Sequence, residues 1–327
     1  MRVIASILLG IFWTITTLAQ DQQARLDTLR AEGYEALYNL DYETARNRFQ
    51  KMVEFAPDNP AGPQCMASSL WLQQLNQSWE LKSTLYSTGA YTEGKAQVDR
   101  KQADEFRKWV RRAKQLAQAR LRKDPHDVEA LYFLGASEGV EASWAAGAER
   151  KFMAAFRAGN DSVDHHREVL KLAPNFHDAE LTIGLMNYIV GSLPLPTKML
   201  VATMGVRGSR KRGLEMLERV ATEGKWARDV ARVLLVDLYK REKRFEDAAQ
   251  MARDLAAKYP RNYLFKLQVA DALTSQIVAL RKAKKPVIAA EKEVQDIFAS
   301  LSHDKTLDTP TRELVNVRWN IARKELQ

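Results

Sequence analysis

A proline followed ten positions later by a small residue occurs four times in this chain, and this spacing constrains the fold more than any other feature. The pairs are Pro57 and Ala67, Pro125 and Gly135, Pro174 and Gly184, and Pro260 and Ala270. A proline cannot continue the hydrogen-bond ladder of a helix, so each of these prolines ends an apolar helical segment. Helices pack closely where side chains are small, so each small residue indicates a helix crossing. The spacing predicts a series of helical hairpins.

Three of the prolines also have an alanine twelve residues upstream, and these are Ala45, Ala113 and Ala248. With these residues the chain resembles the tetratricopeptide-repeat family. The resemblance implies an all-α, right-handed superhelical solenoid whose function is to bind partners rather than to catalyse a reaction. Residues 176–224 are also similar to a segment of the inclusion-body clearance proteins and their animal tetratricopeptide relatives, where a proline break leads into an apolar helix and a glycine-rich turn.

We expect about six helical hairpins in a single domain over residues 20–327. Regular repeats cover residues 26–57 and 229–260, whereas the other intervals between prolines exceed a repeat of about 34 residues. The surplus residues are assigned to insertions near residues 76–100, 142–163 and 192–208. Thr309 and Pro310 can cap and begin a final helix, which would cover the apolar face of the last hairpin.

The first nineteen residues differ from the rest of the chain. Arg2 precedes an apolar stretch from Val3 to Leu18, and small residues at Thr17 and Ala19 suit a signal peptidase. We therefore expect a signal peptide over residues 1–19 and an exported protein, periplasmic or secreted. The alternative is an uncleaved anchor, because the apolar stretch approaches the roughly 20 residues that span a bilayer.

The sequence gives no support for catalysis, a cofactor or a metal. It has no glycine-rich phosphate loop, no Gly-x-Ser-x-Gly elbow and no His-Glu-x-x-His motif. His165 and Glu168 share a helix face, but two ligands do not make a zinc site. Cys65 is the only cysteine, so no intrachain disulfide can form, and we interpret it as a buried apolar residue. The formal charge is +9, yet acidic residues are interspersed along the chain, so no nucleic-acid partner is expected.

The family resemblance assigns partner binding to the inner, concave surface, which first helices of the hairpins line. Transferring that pattern selects Arg30, Tyr34, Tyr38, Tyr132, Tyr188, Asp237, Lys240, Arg241 and Asp271. The paired Lys and Asn with which family members hold a chaperone's terminal carboxylate are absent, because Arg30 and Tyr34 occupy the matching positions in the first repeat. Tyrosine and arginine are enriched at protein interfaces. The same tyrosines could instead pack between neighbouring hairpins.

A second candidate site follows the insertion at residues 192–208. The basic turn there contains Arg207, Arg210, Lys211 and Arg212, and its helix start could receive an anion. Pro194 and Pro196 interrupt the helix just before it, and the apolar segment between them and the turn needs a neighbour. We expect this segment to fold back into the inner groove as a plug. The alternative is that it docks on a partner or a lipid surface.

These observations favour an exported scaffold that mediates protein–protein interaction in the cell envelope. The alternative function is an envelope-binding module that contacts an anionic polymer or lipid through residues 192–213.

Overall fold

The computed structural model describes the backbone of residues 2–77, 98–203 and 205–326, and the side chains of residues 20–76, 98–203 and 205–326. Helices make up 81% of the structure, and no strand occurs among the described residues. The helices are α1 (Arg2–Tyr38), α2 (Tyr42–Phe55), α3 (Ala61–Gln77), α4 (Arg100–Leu121), α5 (Val128–Gly147), α6 (Phe152–Leu172), α7 (Glu180–Ser192), α8 (Leu195–Thr203), α9 (Arg210–Glu223), α10 (Arg228–Arg241), α11 (Phe245–Lys258), α12 (Tyr263–Lys282), α13 (Ile288–Ser302) and α14 (Thr309–Glu325).

Each helix packs chiefly on helices that are close to it in sequence. α1 packs on α2, α2 on α3, and so on along the chain, and α7 packs on α9 with α8 left outside this pairing. Such stacking of successive helices is the arrangement of an α-solenoid, as the proline spacing predicts.

Short polar side chains cap the starts of several helices, two of them directly after a repeat proline. In each case a carboxylate, amide or hydroxyl oxygen accepts a hydrogen bond from a backbone N–H of the first turn, which would otherwise lack a partner. The capping residues are Asp41, Asp99, Asp127, Ser209, Asn262 and Asp308. α14 begins at Thr309 with Pro310 in its first turn, as the sequence predicts, but its cap is Asp308 rather than Thr309.

The small residues lie where helices cross. Gly184 of α7 faces Gly213 of α9, and a β-carbon added at Gly213 would lie 2.6 Å from the carbonyl oxygen of Gly184. Ala45, Ala113 and Ala248 are fully buried. Small side chains at these points let the helices approach closely, so larger residues would overpack the crossings.

The expected insertions have different outcomes. Residues 142–163 lie mostly in α5 and α6, which have 20 and 21 residues, so the surplus over one repeat appears here as a long pair of helices. Residues 192–208 contain α8, an additional short helix. The expected insertion near residues 76–100 lies mostly outside the described residues, which leave out 78–97.

One face of α1 contacts two turns that lie about 200 residues further along the chain. We call these contacts the closure, because they join the first helix to the C-terminal half of the stack. Asp27 pairs with Lys225 at 2.6 Å, and the Arg30 guanidinium stacks on the Trp226 ring at 4.3 Å. About two turns further along α1, the Tyr38 ring lies 5.0 Å from that of Tyr259. The spacing of three, four and four residues through positions 27, 30, 34 and 38 places these side chains on one helix face.

The corner after α1 continues this closure through backbone groups. The Asn262 side-chain amide donates to the carbonyl oxygen of Tyr38 at 2.6 Å, and the Arg261 backbone N–H donates to Asn39 Oδ1 at 3.2 Å. The oxygen of the Asn262 amide accepts from the Leu264 backbone N–H and caps α12. The Asn262 amide therefore uses its nitrogen to bond the end of the first helix and its oxygen to cap α12, and so joins the two parts of the chain.

We predict that Asn262→Asp destabilises the protein by about 1 to 3 kcal/mol, because it keeps the cap of α12 but leaves the buried Tyr38 carbonyl without its donor. The free energy of unfolding, measured in urea, checks the effect. Asn59→Asp is the matched control, because Asn59 caps the start of α3 through its oxygen and should lose little. Equal stability of the two variants would contradict the role of Asn262 in closure.

Candidate functional site

The predicted concave residues separate into two groups, and most are already engaged inside the protein. Arg30, Tyr38, Tyr132, Tyr188, Asp237 and Lys240 are all less than 10% exposed. Arg30, Tyr34 and Tyr132 gather on the N-terminal side, whereas Tyr188 and the charged residues of α10 and α12 gather on the C-terminal side. The structure does not combine them into one open binding face.

An aromatic cluster fills the space where α1, α5 and the turn before α10 meet. The Tyr132 ring lies 5.0 Å from Phe176 and 5.3 Å from Trp226, and Phe133 stacks on Trp226 at 5.4 Å. Aromatic pairs at these separations stabilise the fold beyond the area they bury. Tyr132 is thus packed between helices, which is the alternative that the sequence left open for the tyrosines.

Asp178 holds the turn that carries Trp226. Its Oδ1 accepts from the backbone N–H groups of Trp226 at 2.7 Å and Ala227 at 2.6 Å, and its Oδ2 accepts from that of Lys225 at 3.0 Å. Charge-assisted hydrogen bonds of this kind are the stronger ones. Sequence reasoning did not identify Asp178, because an aspartate near a helix start normally caps its own helix.

His166 lies under the same cluster as a neutral side chain. Its Nε2 is 3.1 Å from the carbonyl oxygen of Tyr132, which only accepts, so Nε2 carries the proton and Nδ1 accepts from the Thr182 hydroxyl. Burial lowers the pKa of His166 to about 4. The neighbouring His165 differs, since a hydrogen bond to Glu138 at 2.8 Å raises its pKa.

The second group is a charge cluster on the first helices of the C-terminal half. Lys240 Nζ of α10 lies 3.3 Å from Asp237 Oδ1 and 2.5 Å from Asp271 Oδ2 of α12. Burial alone would lower the pKa of Lys240, but the two carboxylates raise it above its ordinary value. Burial raises the pKa of Asp237. Next to this cluster the Tyr188 hydroxyl donates to Glu242 at 2.9 Å, and the Arg241 guanidinium lies 5.9 Å from the Tyr188 ring.

The segment expected to plug the groove is instead exposed. α8 has no buried residue, and Leu195, Met199 and Leu200 are 70%, 64% and 65% exposed. The expectation of a plug is therefore contradicted for the described part of this segment, which leaves out Met204. An apolar helix that reaches no groove needs another contact to cover it.

All four cations of the basic turn are exposed beside α8. Arg210 pairs with Glu242 at 3.3 Å, and Lys211 lies 3.9 Å from Glu215. Arg207 and Arg212 have no carboxylate within 4.0 Å among the described residues. Ser209 caps α9 by accepting from the Arg212 backbone N–H. The turn thus presents two cations, Arg207 and Arg212, that pair with no acid in the described part of the chain.

The chain segment that contains α8 carries side-chain charge of one sign only. From residue 181 to residue 214 the chain has no Asp or Glu and has five cations, namely Lys198 and the four of the basic turn. Lys198 points inward and donates to the Gly191 carbonyl oxygen at 2.8 Å. We call α8 together with Arg207, Arg210, Lys211 and Arg212 the α8 surface.

The chain matches no family model and no curated protein. Within the described residues, no group of three or more His, Cys, Asp or Glu side chains is placed to hold a metal ion. No helix in the described part of the chain combines the length and the apolar character that crossing a bilayer requires.

We predict a pH effect at His166. Because its folded pKa of about 4 lies below the ordinary value of 6.5, neutral His166 contributes stability above about pH 6.5, and this is lost as the pH falls toward 4. The full contribution corresponds to about 3 kcal/mol. Melting temperatures of His166→Gln should therefore fall less between pH 7 and pH 4.5 than those of the wild type.

The exposed His126 provides the control for this experiment, and His126→Gln should keep the wild-type pH dependence. His165 acts in the opposite direction, because a raised pKa contributes stability below its unfolded value, so it cannot produce the predicted loss on acidification. The same acid sensitivity in His166→Gln as in the wild type would show that His166 does not titrate on unfolding.

Proposed function

We propose that this chain is an exported, non-catalytic binding module of tetratricopeptide type that docks on an anionic lipid surface through the α8 surface. In this proposal the fold is a right-handed solenoid of six hairpins, formed by α1 with α2, α3 with α4, α5 with α6, α7 with α9, α10 with α11, and α12 with α13. α14 is the cap, and residues 1–19 are the signal peptide. The observation that carries the proposal is the exposure of apolar α8 beside unneutralised cations.

The orientation of α8 supports docking. At 100° per residue, Leu195, Met199 and Leu200 lie on one side of the helix, whereas Lys198 and Val201 lie on the other. The second side faces the protein, since both residues are partly buried and Lys198 bonds to the end of α7. The apolar side is therefore held outward by the body of the protein.

Magnitudes indicate that apolar and charged contacts are both needed. Each of the three apolar side chains is about two-thirds exposed, so its burial would contribute about 1 to 2 kcal/mol. Each Lys or Arg near an anionic membrane adds about 1 kcal/mol, and salt screens that term. Stable anchoring at a membrane surface generally takes two such signals together. The α8 surface supplies both signals, an exposed apolar helix face and a group of basic side chains.

We predict that the double change Leu195→Ser and Leu200→Ser leaves the melting temperature unchanged but abolishes binding to vesicles containing anionic lipid. The reason is that neither side chain contributes to the core, whereas both would enter the lipid interface. Flotation with purified protein measures the binding. Ile288→Ser is the matched control, because Ile288 of α13 is 79% exposed and lies outside the α8 surface. It should bind like the wild type.

The charge contribution is tested by Arg207→Gln with Arg212→Gln. This variant should bind the same vesicles more weakly and with a smaller dependence on salt. Wild-type binding to neutral vesicles that equals its binding to anionic ones would contradict the electrostatic part. Wild-type protein that binds no vesicle but sediments with an anionic envelope polymer would replace lipid by polymer as the partner.

A protein partner is the second candidate, and the polar inner face of the C-terminal half supports it. α10 and α12 bring Asp237, Lys240, Arg241 and Asp271 together, and the neighbouring Gln268 is buried with no hydrogen-bond partner for its amide among the described residues. Cross-linking in intact cells, followed by affinity purification, distinguishes the candidates. A protein lost with Asp271→Asn but kept with the α8 double variant would indicate a scaffold that binds through α10 and α12.

A further inference from the structure

The Arg30 guanidinium is buried without a carboxylate partner. It is 6% exposed, and no Asp or Glu of the described residues lies within 4.0 Å of its nitrogen atoms. Burying an unpaired charge is strongly unfavourable. Asp178 is nearby, but both of its oxygens already accept from the backbone of the Trp226 turn.

Aromatic rings cover the flat faces of the Arg30 guanidinium. Its central carbon lies 4.3 Å from the Trp226 ring centroid, 5.1 Å from that of Phe133 and 6.0 Å from that of Tyr34. Stacking on rings is a cation–π contact, which uses the flat faces of the group. The N–H donors point along the edge, in the plane, and stacking satisfies none of them. The buried Nε atom has no hydrogen-bond acceptor among the described residues.

The carboxylate of Asp178 acts on Arg30 electrostatically from beyond 4.0 Å, without pairing with it. The other groups that interact with Arg30 are the hydroxyls of Tyr34 and Tyr132 and the thiol of Cys65. Burial raises the pKa of all three groups, so they keep their protons at neutral pH. Arg30 is therefore lined by protonated groups and nearly closed to solvent, and the one acid that acts on it has its oxygens engaged by the Trp226 turn.

We propose that the Arg30 edge binds a small inorganic anion of the chloride type. The anion would accept from the guanidinium edge and neutralise the buried charge. Because the group is almost inaccessible, the site suits a monatomic ion and excludes larger carboxylates and polymers. This site lies on α1, apart from the α8 surface. A negative result at one site therefore leaves the proposal for the other unaffected.

The test measures the melting temperature of the full chain while sodium gluconate is replaced by sodium chloride at constant ionic strength. Gluconate is too large to enter, so only a specific site responds. The wild-type melting temperature should rise by about 3 °C or more and then saturate. Arg30→Met should lose this rise, and Arg30→Lys should weaken it, because an ammonium lacks the planar edge.

Arg25→Met is the matched control. Arg25 also belongs to α1 and also stacks on a ring, 4.4 Å from that of Phe55, but it is exposed. This variant should keep the chloride response in full. An equal rise in Arg30→Met and in the wild type would overturn the proposal, as would a wild type that does not respond to chloride.

A second measurement covers the case in which the Arg30 variants fail to fold. In wild-type protein labelled with ¹⁵N-arginine, the Nε–H resonance of the buried arginine should shift saturably as chloride replaces gluconate. Bromide should produce a similar shift. A resonance that does not move would overturn the proposal without any substitution.

Discussion

Contact between the inner face of α1 and the turns at residues 224–227 and 259–262 determines what the rest of the structure can do. A stack of helices in which each unit touches only its neighbours leaves a continuous inner surface open. Here Arg30 stacks on Trp226, Tyr38 packs on Tyr259, and Asn262 donates to the Tyr38 carbonyl. These contacts join residues about 200 positions apart. Arg30 and Tyr38 are consequently buried against these turns and engaged within the protein.

The helix boundaries were predictable because their causes are local. Each proline follows the end of a helix within a few residues, and after Pro57, Pro125 and Pro260 a short polar residue caps the next helix at once. The helix crossings at Gly184 and Ala248 were equally predictable, because a small side chain allows close approach in any pair of packed helices. The contacts of α1 with the turns at residues 224–227 and 259–262 were not predictable from such local patterns. Trp226 and Asp178 act on residues from distant helices, and nothing in their immediate sequence indicates those partners.

Two segments that exceed the repeat pattern are accommodated in different ways. Residues 142–163 were assigned to an insertion because the interval between Pro125 and Pro174 exceeds one repeat, and α5 and α6 take up that excess as helices of 20 and 21 residues. Residues 195–203 looked too apolar for solvent, yet α8 has no buried residue. A short helix that is outside the pairing of α7 with α9 has few neighbours to cover it. Hydrophobicity indicates that a segment needs a partner, and only packing shows whether the chain itself provides it.

The distribution of charge links this exposed helix to the proposed partner. The chain has a net charge of +9, and the stretch from 181 to 214 accounts for five of these charges without a single acid. Over the rest of the chain, acids and bases nearly balance, and many pair within the protein, as Arg253 does with Glu293 and Arg120 with Asp127. An uneven distribution of this kind orients a protein in the field of an anionic surface before contact. The apolar side of α8 lies next to those charges, so the orientation that electrostatics favours is also the one that brings Leu195, Met199 and Leu200 to the surface first.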